Sequence, residues 1–253
     1  MQIMNFKQFL LEQSFSDLNQ WLQQHNTTIQ QVVQKLQQKP PDGKGGNADF
    51  WAIPNSPFGI RVPRGKVSQN AVLLNPGDTH PDMNFGQPIG NYGHIQILKL
   101  QSGNPAGMEH GSHNFAPDAQ SKAIQNYKNR LEDAAKLPQE SYDKLVKQFQ
   151  YLNEKGYRID PSKPGNLLID PIKGFNLVDI AKSSEGQKNS PNEIIVMLLD
   201  NFNFNKYNLN QDPKYQELAK IIIKKTQIAA NNSKIEFGKS GSSDYSMKLA
   251  GIT

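Results

Sequence analysis

Apolar residues at helical spacing open the chain. Phe6, Phe9, Leu10, Phe15, Leu18, Trp21 and Leu22 predict one or two amphipathic helices over residues 4–24, with a break near Ser14 to Ser16. Ile29, Val32, Val33 and Leu36 predict another over residues 28–38, capped by Thr27 or Thr28 and ended by Pro40-Pro41-Asp42-Gly43. The pattern then changes. Residues 50–53 and 58–62 read as short strands around the turn Pro54-Asn55-Ser56-Pro57. Residues 63–92, rich in Pro, Gly and Asn, read as loop apart from an apolar run at Val72 to Leu74. Residues 94–100 alternate as a strand does, and a Gly- and Pro-rich linker follows from Ser102 to Pro117.

Helical spacing returns over residues 118–135 and 139–154. The second stripe holds Tyr142, Leu145, Val146, Phe149 and Leu152, with Gly156 placed as a stop. Residues 167–169 and 175–178 predict a β-hairpin joined through Asp170 to Gly174, and helices are expected at 191–201 and 213–230. The fold class expected is α+β. A helical extension (1–40) precedes a small strand-bearing half (41–107), a mostly helical half (108–232) and a flexible tail (233–253). No internal repeat is visible.

Composition narrows the chemistry. The chain has 253 residues, 36% hydrophobic and 20% charged, enough to bury a core. It has no cysteine, which excludes disulfides, thiolate nucleophiles and cysteine-ligated metals. The net charge of +5 favours no single class of anionic partner, and no strong nucleic-acid pattern accompanies it. No apolar run reaches the roughly 20 residues that span a bilayer, and the N-terminus lacks the pattern of a secretory signal. A cytoplasmic protein without a membrane partner is expected.

The hairpin carries the most specific chemistry. Its strands run antiparallel, so Asn166 at the start of one and Asp179 at the end of the other belong at the same end. A carbonyl and a carboxylate there suit magnesium, which binds through few protein ligands together with substrate phosphates. Capping of turns and strand ends is the alternative use of both residues.

Residues 144–180, KLVKQFQYLNEKGYRIDPSKPGNLLIDPIKGFNLVDI, resemble the catalytic-loop region of protein kinase-like phosphotransferases. Lys163-Pro164-Gly165-Asn166 matches the second half of that loop, and the separation from Asn166 to Asp179 fits without a gap. The resemblance implies a two-lobed kinase-like fold binding ATP and Mg2+, with Asn166 and Asp179 as metal ligands and Asp160 and Lys163 as catalytic residues. Gly43-Lys44-Gly45-Gly46-Asn47-Ala48-Asp49-Phe50 resembles the Gly-rich phosphate loop, which places Gly43 and Gly45 on the nucleotide. Phe58-Gly59-Ile60-Arg61 falls where Val-Ala-Ile-Lys is usual, making Arg61 the phosphate-contacting cation.

Four departures accompany it. Ungapped alignment from Gly156 puts Pro161 where the family keeps its catalytic Asp, so Asp160 serves only if the loop shifts by one residue. Arg61 replaces the strand lysine, a change of reach and geometry. No Glu lies between Val62 and Met108, leaving Glu12 as a substitute ion-pair partner, and Asp-Phe-Gly becomes Asp179-Ile180-Ala181. The segment to Ser190-Pro191-Asn192-Glu193, the counterpart of Ala-Pro-Glu, is short.

The expected function is therefore an atypical kinase-like phosphotransferase, with a nucleotide and possible protein substrate as partners. A pseudokinase or scaffold acting by protein contacts, and a structural protein unrelated to kinases, are the alternatives. Glu109, His110 and His113 sit in a Gly-rich loop and not at the helical spacing of a zinc site. His25 and His80 stand alone, and no Gly-x-Ser-x-Gly nucleophile turn occurs. Lys220, Lys224 and Lys225 form a basic helix face read as solvated.

Overall fold

The computed structural model describes residues 16–44, 48–64, 87–106, 117–183, 187–199 and 201–237. The sequence features at Glu12, Gly45, Val72 to Leu74, His80, Glu109, His110 and His113, and most of the tail, lie outside them. The chain is α+β and forms two compact units that divide between Gln101 and Ser102, at the start of the Gly- and Pro-rich segment.

The first unit is a five-stranded antiparallel sheet with two helices on one face. Helix α1 covers residues 16–24 and α2 covers Ile29–Gln37. Thr28 caps α2 reciprocally: the Gln31 N–H donates to Thr28 Oγ1 at 3.3 Å, and the Thr28 N–H donates to Gln31 Oε1 at 2.9 Å. Strands β1 (Gly43–Lys44), β2 (Ala48–Ala52), β3 (Phe58–Pro63), β4 (Gln87–Tyr92) and β5 (Ile95–Lys99) lie in the order β1-β2-β3-β5-β4. Trp51, Ile60 and Ile97 are opposite one another in register and so share a face. That face packs on Leu18, Val32, Val33 and Leu36, so the two helices share the sheet's core. Full burial of each such side chain stabilises by about 1.5–3 kcal/mol.

Strand β4 lies where the sequence reads as loop. Gln-Pro-Ile-Gly-Asn-Tyr has no alternation, and its register shifts between Pro88 and Gly90. It is an edge strand, where a proline without an N–H and a bulge are both tolerated.

The second unit is mostly helical. Its helices are α3 (Pro117–Lys136), α4 (Gln139–Glu154), α5 (Pro191–Leu199), α6 (Asn201–Lys206) and α7 (Pro213–Asn232). The stripe on α4 is buried as expected: Tyr142, Leu145, Val146, Phe149 and Leu152 are all 0% exposed. Gly156, at φ 73, takes the left-handed conformation just past the end of α4. Helix α5 is buried on nearly every side, including Ile194, Ile195, Met197 and Leu198, and the Tyr127 hydroxyl donates to the Leu198 and Leu199 carbonyls near its end. Lys225 corrects the reading of a solvated basic face. Its ammonium donates to the carbonyls of Ala135 (2.8 Å) and Leu137, a cationic cap on the C-terminal end of α3.

Five short strands complete this unit. β6 (Asn104–Pro105), β8 (Leu167–Asp170) and β9 (Gly174–Leu177) form one sheet; β7 (Tyr157–Arg158) pairs with β10 (Ala181–Lys182). β6 lies in the expected linker, held against β8 because Gly103 allows close approach. A Cβ there would stand 2.9 Å from the Ile169 carbonyl, and φ is 120°. No helix among the described residues is long and apolar enough to cross a membrane.

Candidate functional site

The chain leaves α4 at Gly156, runs through β7 and enters a loop that carries Asp160 and Lys163. A 3₁₀ turn, Pro164–Asn166, closes the loop and feeds β8. The expectation that Asn166 begins a strand is thus corrected by one residue, and the turn explains its burial at 6% exposed. Its Nδ2 donates to the Asp160 backbone carbonyl at 3.3 Å. The Lys163 N–H donates to the same carbonyl at 3.2 Å, and the Asn166 N–H donates to the Lys163 carbonyl at 2.9 Å. Asp160, Lys163 and Asn166 are therefore one hydrogen-bonded turn.

The Asp160 carboxylate has a divided environment. Oδ1 accepts from the Ser162 N–H at 3.0 Å and from its hydroxyl at 2.6 Å. Oδ2 lies 3.5 Å from Lys163 Nζ. Partial burial pushes the carboxyl up, but the Ser162 hydrogen bonds and the Lys163 charge outweigh it, so the net shift is below the usual carboxylate range. Asp160 is ionised at neutral pH. Because each carboxylate oxygen has two acceptor sites, Oδ2 retains capacity for a hydroxyl donor.

Asp179 lies two residues beyond β9, at the corner where the chain turns from β9 into β10. Its φ is 54°, left-handed for a residue with a Cβ, and it is exposed. Aspartate tolerates that conformation better than most residues, at a cost of about 1 kcal/mol. Leu167 pairs with Leu177, and the Val178 N–H donates to the Asn166 carbonyl at 2.9 Å. The pairing puts Asn166 opposite Val178, so Asp179 follows at the same hairpin end.

Two side-chain arrangements that the sequence did not single out brace this turn. Asn189, 2% exposed, accepts from the Ile159 N–H at 2.9 Å and donates to the Tyr157 carbonyl at 2.9 Å and Asn153 Oδ1 at 2.8 Å. Arg158 Nη2 donates to Glu193 Oε1 at 3.0 Å, in a pair that is largely buried. Burial pushes the Glu193 carboxyl above the usual range, against the opposing Ser190 N–H and Arg158. Glu193 belongs to the Ser190-Pro191-Asn192-Glu193 motif. Asn189 stood out in no way among the many asparagines of this chain.

Gly43 and Arg61 belong to the first unit, whereas Asp160, Lys163, Asn166 and Asp179 belong to the second. Gly43 sits opposite Phe50, and an added Cβ would make only ordinary contact, 3.7 Å from Phe50 Cβ. Arg61 pairs with Phe50 and Gln96, on the sheet face away from Trp51, Ile60 and Ile97; its Nη1 donates to Gln96 Oε1 at 3.0 Å. A Cβ on Gly59 would stand 2.7 Å from the Phe50 ring, so the glycine leaves room for that ring.

The oxygen donors fit magnesium in type. Asn166 uses its Nδ2 on the Asp160 carbonyl, which leaves Oδ1 as the end of the amide available to a cation, and Asp179 contributes a hard carboxylate. Among the described residues no three His, Asp or Glu side chains form a metal-binding group, so a cation held here would take its other ligands from substrate oxygens and water. No protein-family model matches the chain, and no curated protein matches it either.

Proposed function

We propose that the protein is an atypical kinase-like phosphotransferase that uses ATP and magnesium. The observation that carries the reading is Asn166 and Asp179 at one end of hairpin β8–β9, with Asp179 held at φ 54. Asn26, Asn55, Asn208 and Lys234 share the left-handed conformation, so it is the place beside Asn166 at the hairpin's open end that singles Asp179 out. The two-lobed kinase-like arrangement belongs to the same proposal, supported by a five-stranded antiparallel sheet preceding a helical unit that contains the hairpin.

In this reading magnesium supplies charge neutralisation on the nucleotide phosphates. Asn166 Oδ1 and the Asp179 carboxylate hold it. The resemblance to the kinase family also implies Arg61, Gly43 and Gly45 as phosphate-contacting residues. Asp160 Oδ2 orients the acceptor hydroxyl and takes its proton, while Lys163 offsets charge developing on the transferred group. The Asn166 amide on the Asp160 carbonyl supports Asp160 as the loop's base, although Pro161 stands at the aligned position.

A nucleotide-binding scaffold without transfer is the second reading. It is favoured by the engagement of the Asp160 carboxylate with Ser162 and Lys163, and by its lowered basicity.

Thermal unfolding with and without ATP and magnesium tests the proposal. Ligand at about 100 times its dissociation constant stabilises the native state by about 2.7 kcal/mol. Wild type should shift upward and Asp179→Asn should not. Equal midpoints for wild type with and without millimolar ATP and magnesium would sink the reading. A shift without conversion of ATP to ADP favours the scaffold.

A further inference from the structure

We propose that Asn189 is a positioning residue for the loop that carries Asp160, an inference that rests on the phosphotransfer reading above. Its side chain reaches into the chain immediately before the carboxylate. Oδ1 accepts from the Ile159 N–H at 2.9 Å, one peptide from Asp160, and Nδ2 donates to the Tyr157 carbonyl at 2.9 Å. The second Nδ2 hydrogen goes to Asn153 Oδ1 at 2.8 Å. Asn189 thereby holds a donor and an acceptor of the same three-residue stretch, which a single amide one carbon from the backbone does and an apolar or hydroxyl side chain does not.

Asn189 is itself anchored at both backbone groups. Its N–H donates to Asn153 Oδ1 at 2.7 Å, and its carbonyl accepts from Asn153 Nδ2 at 2.9 Å. Asn153 stands in the last turn of α4, so the brace connects the loop to the most thoroughly buried helix stripe of the unit. At the loop's far side the Asn166 amide and the Lys163 N–H hold the Asp160 carbonyl. Asp160 is clamped from both directions, by Asn189 from outside the loop and by Asn166 and Lys163 from within it.

Loss of the brace leaves the Ile159 N–H and Tyr157 carbonyl to find water, and the loop moves to reach it. Asn166, which closes the loop, is also held from the hairpin side by the Val178 N–H on its carbonyl, and Asp179 follows the Leu167–Leu177 pairing, neither of which involves Asn189. Removing it should therefore lower turnover without weakening nucleotide binding.

The test uses the full chain, with ATP and magnesium as the probe and water as the phosphoryl acceptor, giving ADP and phosphate. Asn189→Leu should lose kcat by about 10²-fold, the scale expected for a misplaced catalytic group, with the KM for ATP unchanged. Hydrogen exchange at the Ile159 amide should accelerate in the same variant. Asn153→Ala removes a side chain that bonds to Asn189, so it should move kcat and the Ile159 amide in the same direction. It also carries the test if Asn189→Leu does not fold. All rates are taken well below each unfolding midpoint. A lowered midpoint with kcat unchanged in both variants overturns the proposal and makes Asn189 a purely structural residue. Wild type that binds ATP without turning it over also overturns it and leaves nucleotide binding standing. Wild type that neither binds nor turns over ATP is the distinct outcome in which the phosphotransfer reading itself fails and takes this proposal with it.

Discussion

The two ends of hairpin β8–β9 each carry an aspartate, and the two are held in opposite ways. At the turn, Asp170 is buried and accepts the N–H groups of Ile172 and Lys173, each at 2.9 Å. The Ser102 hydroxyl, then the Lys173 N–H, draw its carboxyl below the usual range against the effect of burial. Its hydrogen bonds account for its presence: it closes a turn and fastens the segment before β6. At the open end, Asp179 is exposed and its backbone is left-handed. Local hydrogen bonding explains the first aspartate, and a ligand is the proposed explanation of the second. The residue type is the same, so the contrast lies in burial and backbone conformation.

Substitutions at the two positions should separate cleanly. The largest effect is expected for Asp179→Asn, which keeps tolerance of the left-handed backbone and removes the charge. Loss of a metal-binding carboxylate removes several kcal/mol of transition-state stabilisation, so ATP turnover should fall by about 10²-fold or more, with the nucleotide-free unfolding midpoint little changed. Equal turnover in Asp179→Asn and wild type would break the comparison.

Asp170→Ala should do the reverse. It removes hydrogen bonds to a charged, buried acceptor, and urea unfolding should show a loss of about 2–3 kcal/mol. The upward shift on adding ATP and magnesium should persist in the variant. Disappearance of that shift would tie the turn to the site and erase the distinction.

The same aspartate sets a pH dependence. The folded Asp170 carboxyl lies below its unfolded value of about 3.9, so it contributes stability above that value, and the contribution is lost as pH falls toward and through the folded value. Asp170→Asn should flatten the acid limb of unfolding free energy below about pH 5, where the unfolded carboxyl begins to protonate. An unchanged slope would mean that the carboxylate contributes nothing through its charge.

The smallest effect sharpens the contrast most. Asp179→Gly relieves the left-handed backbone but adds freedom to the unfolded chain, so nucleotide-free stability should change by no more than about 1 kcal/mol, in the stabilising direction where strain relief wins. Nucleotide stabilisation should vanish in this variant. A gain in resting stability together with a loss of response is what a strained functional residue predicts and a turn residue does not.

Much of this was legible before the fold was known, wherever the determining interactions are local. Helix α4 runs from Gln139 to Glu154 as the stripe of Tyr142, Leu145, Val146, Phe149 and Leu152 requires, because side chains three and four residues apart share one face. The cap of α2 was expected at Thr27 or Thr28, and Thr28 supplies it, with Gln31 completing the reciprocal bond. The hairpin followed from two apolar runs around Asp170 to Gly174, and antiparallel register then placed Asn166 near Asp179.

Tertiary structure decided the rest, because those contacts join residues with no shared period. Edge strand β4 forms from a sequence without alternation because β5 supplies its partner. Strands β7 and β10 have two residues each and exist through their pairing across the loop and hairpin. The Asn166 amide closes onto the Asp160 carbonyl, six residues back, through a 3₁₀ turn that no residue period records. Asn189 reaches Tyr157 and Ile159 from 32 and 30 positions away, a distance no local pattern records. By itself the sequence determined the long helices but not the short α6, together with the hairpin and the residue types at its open end. Only the fold decided which neighbours satisfy them, since a hydrogen bond between distant segments depends on packing that brings both ends together.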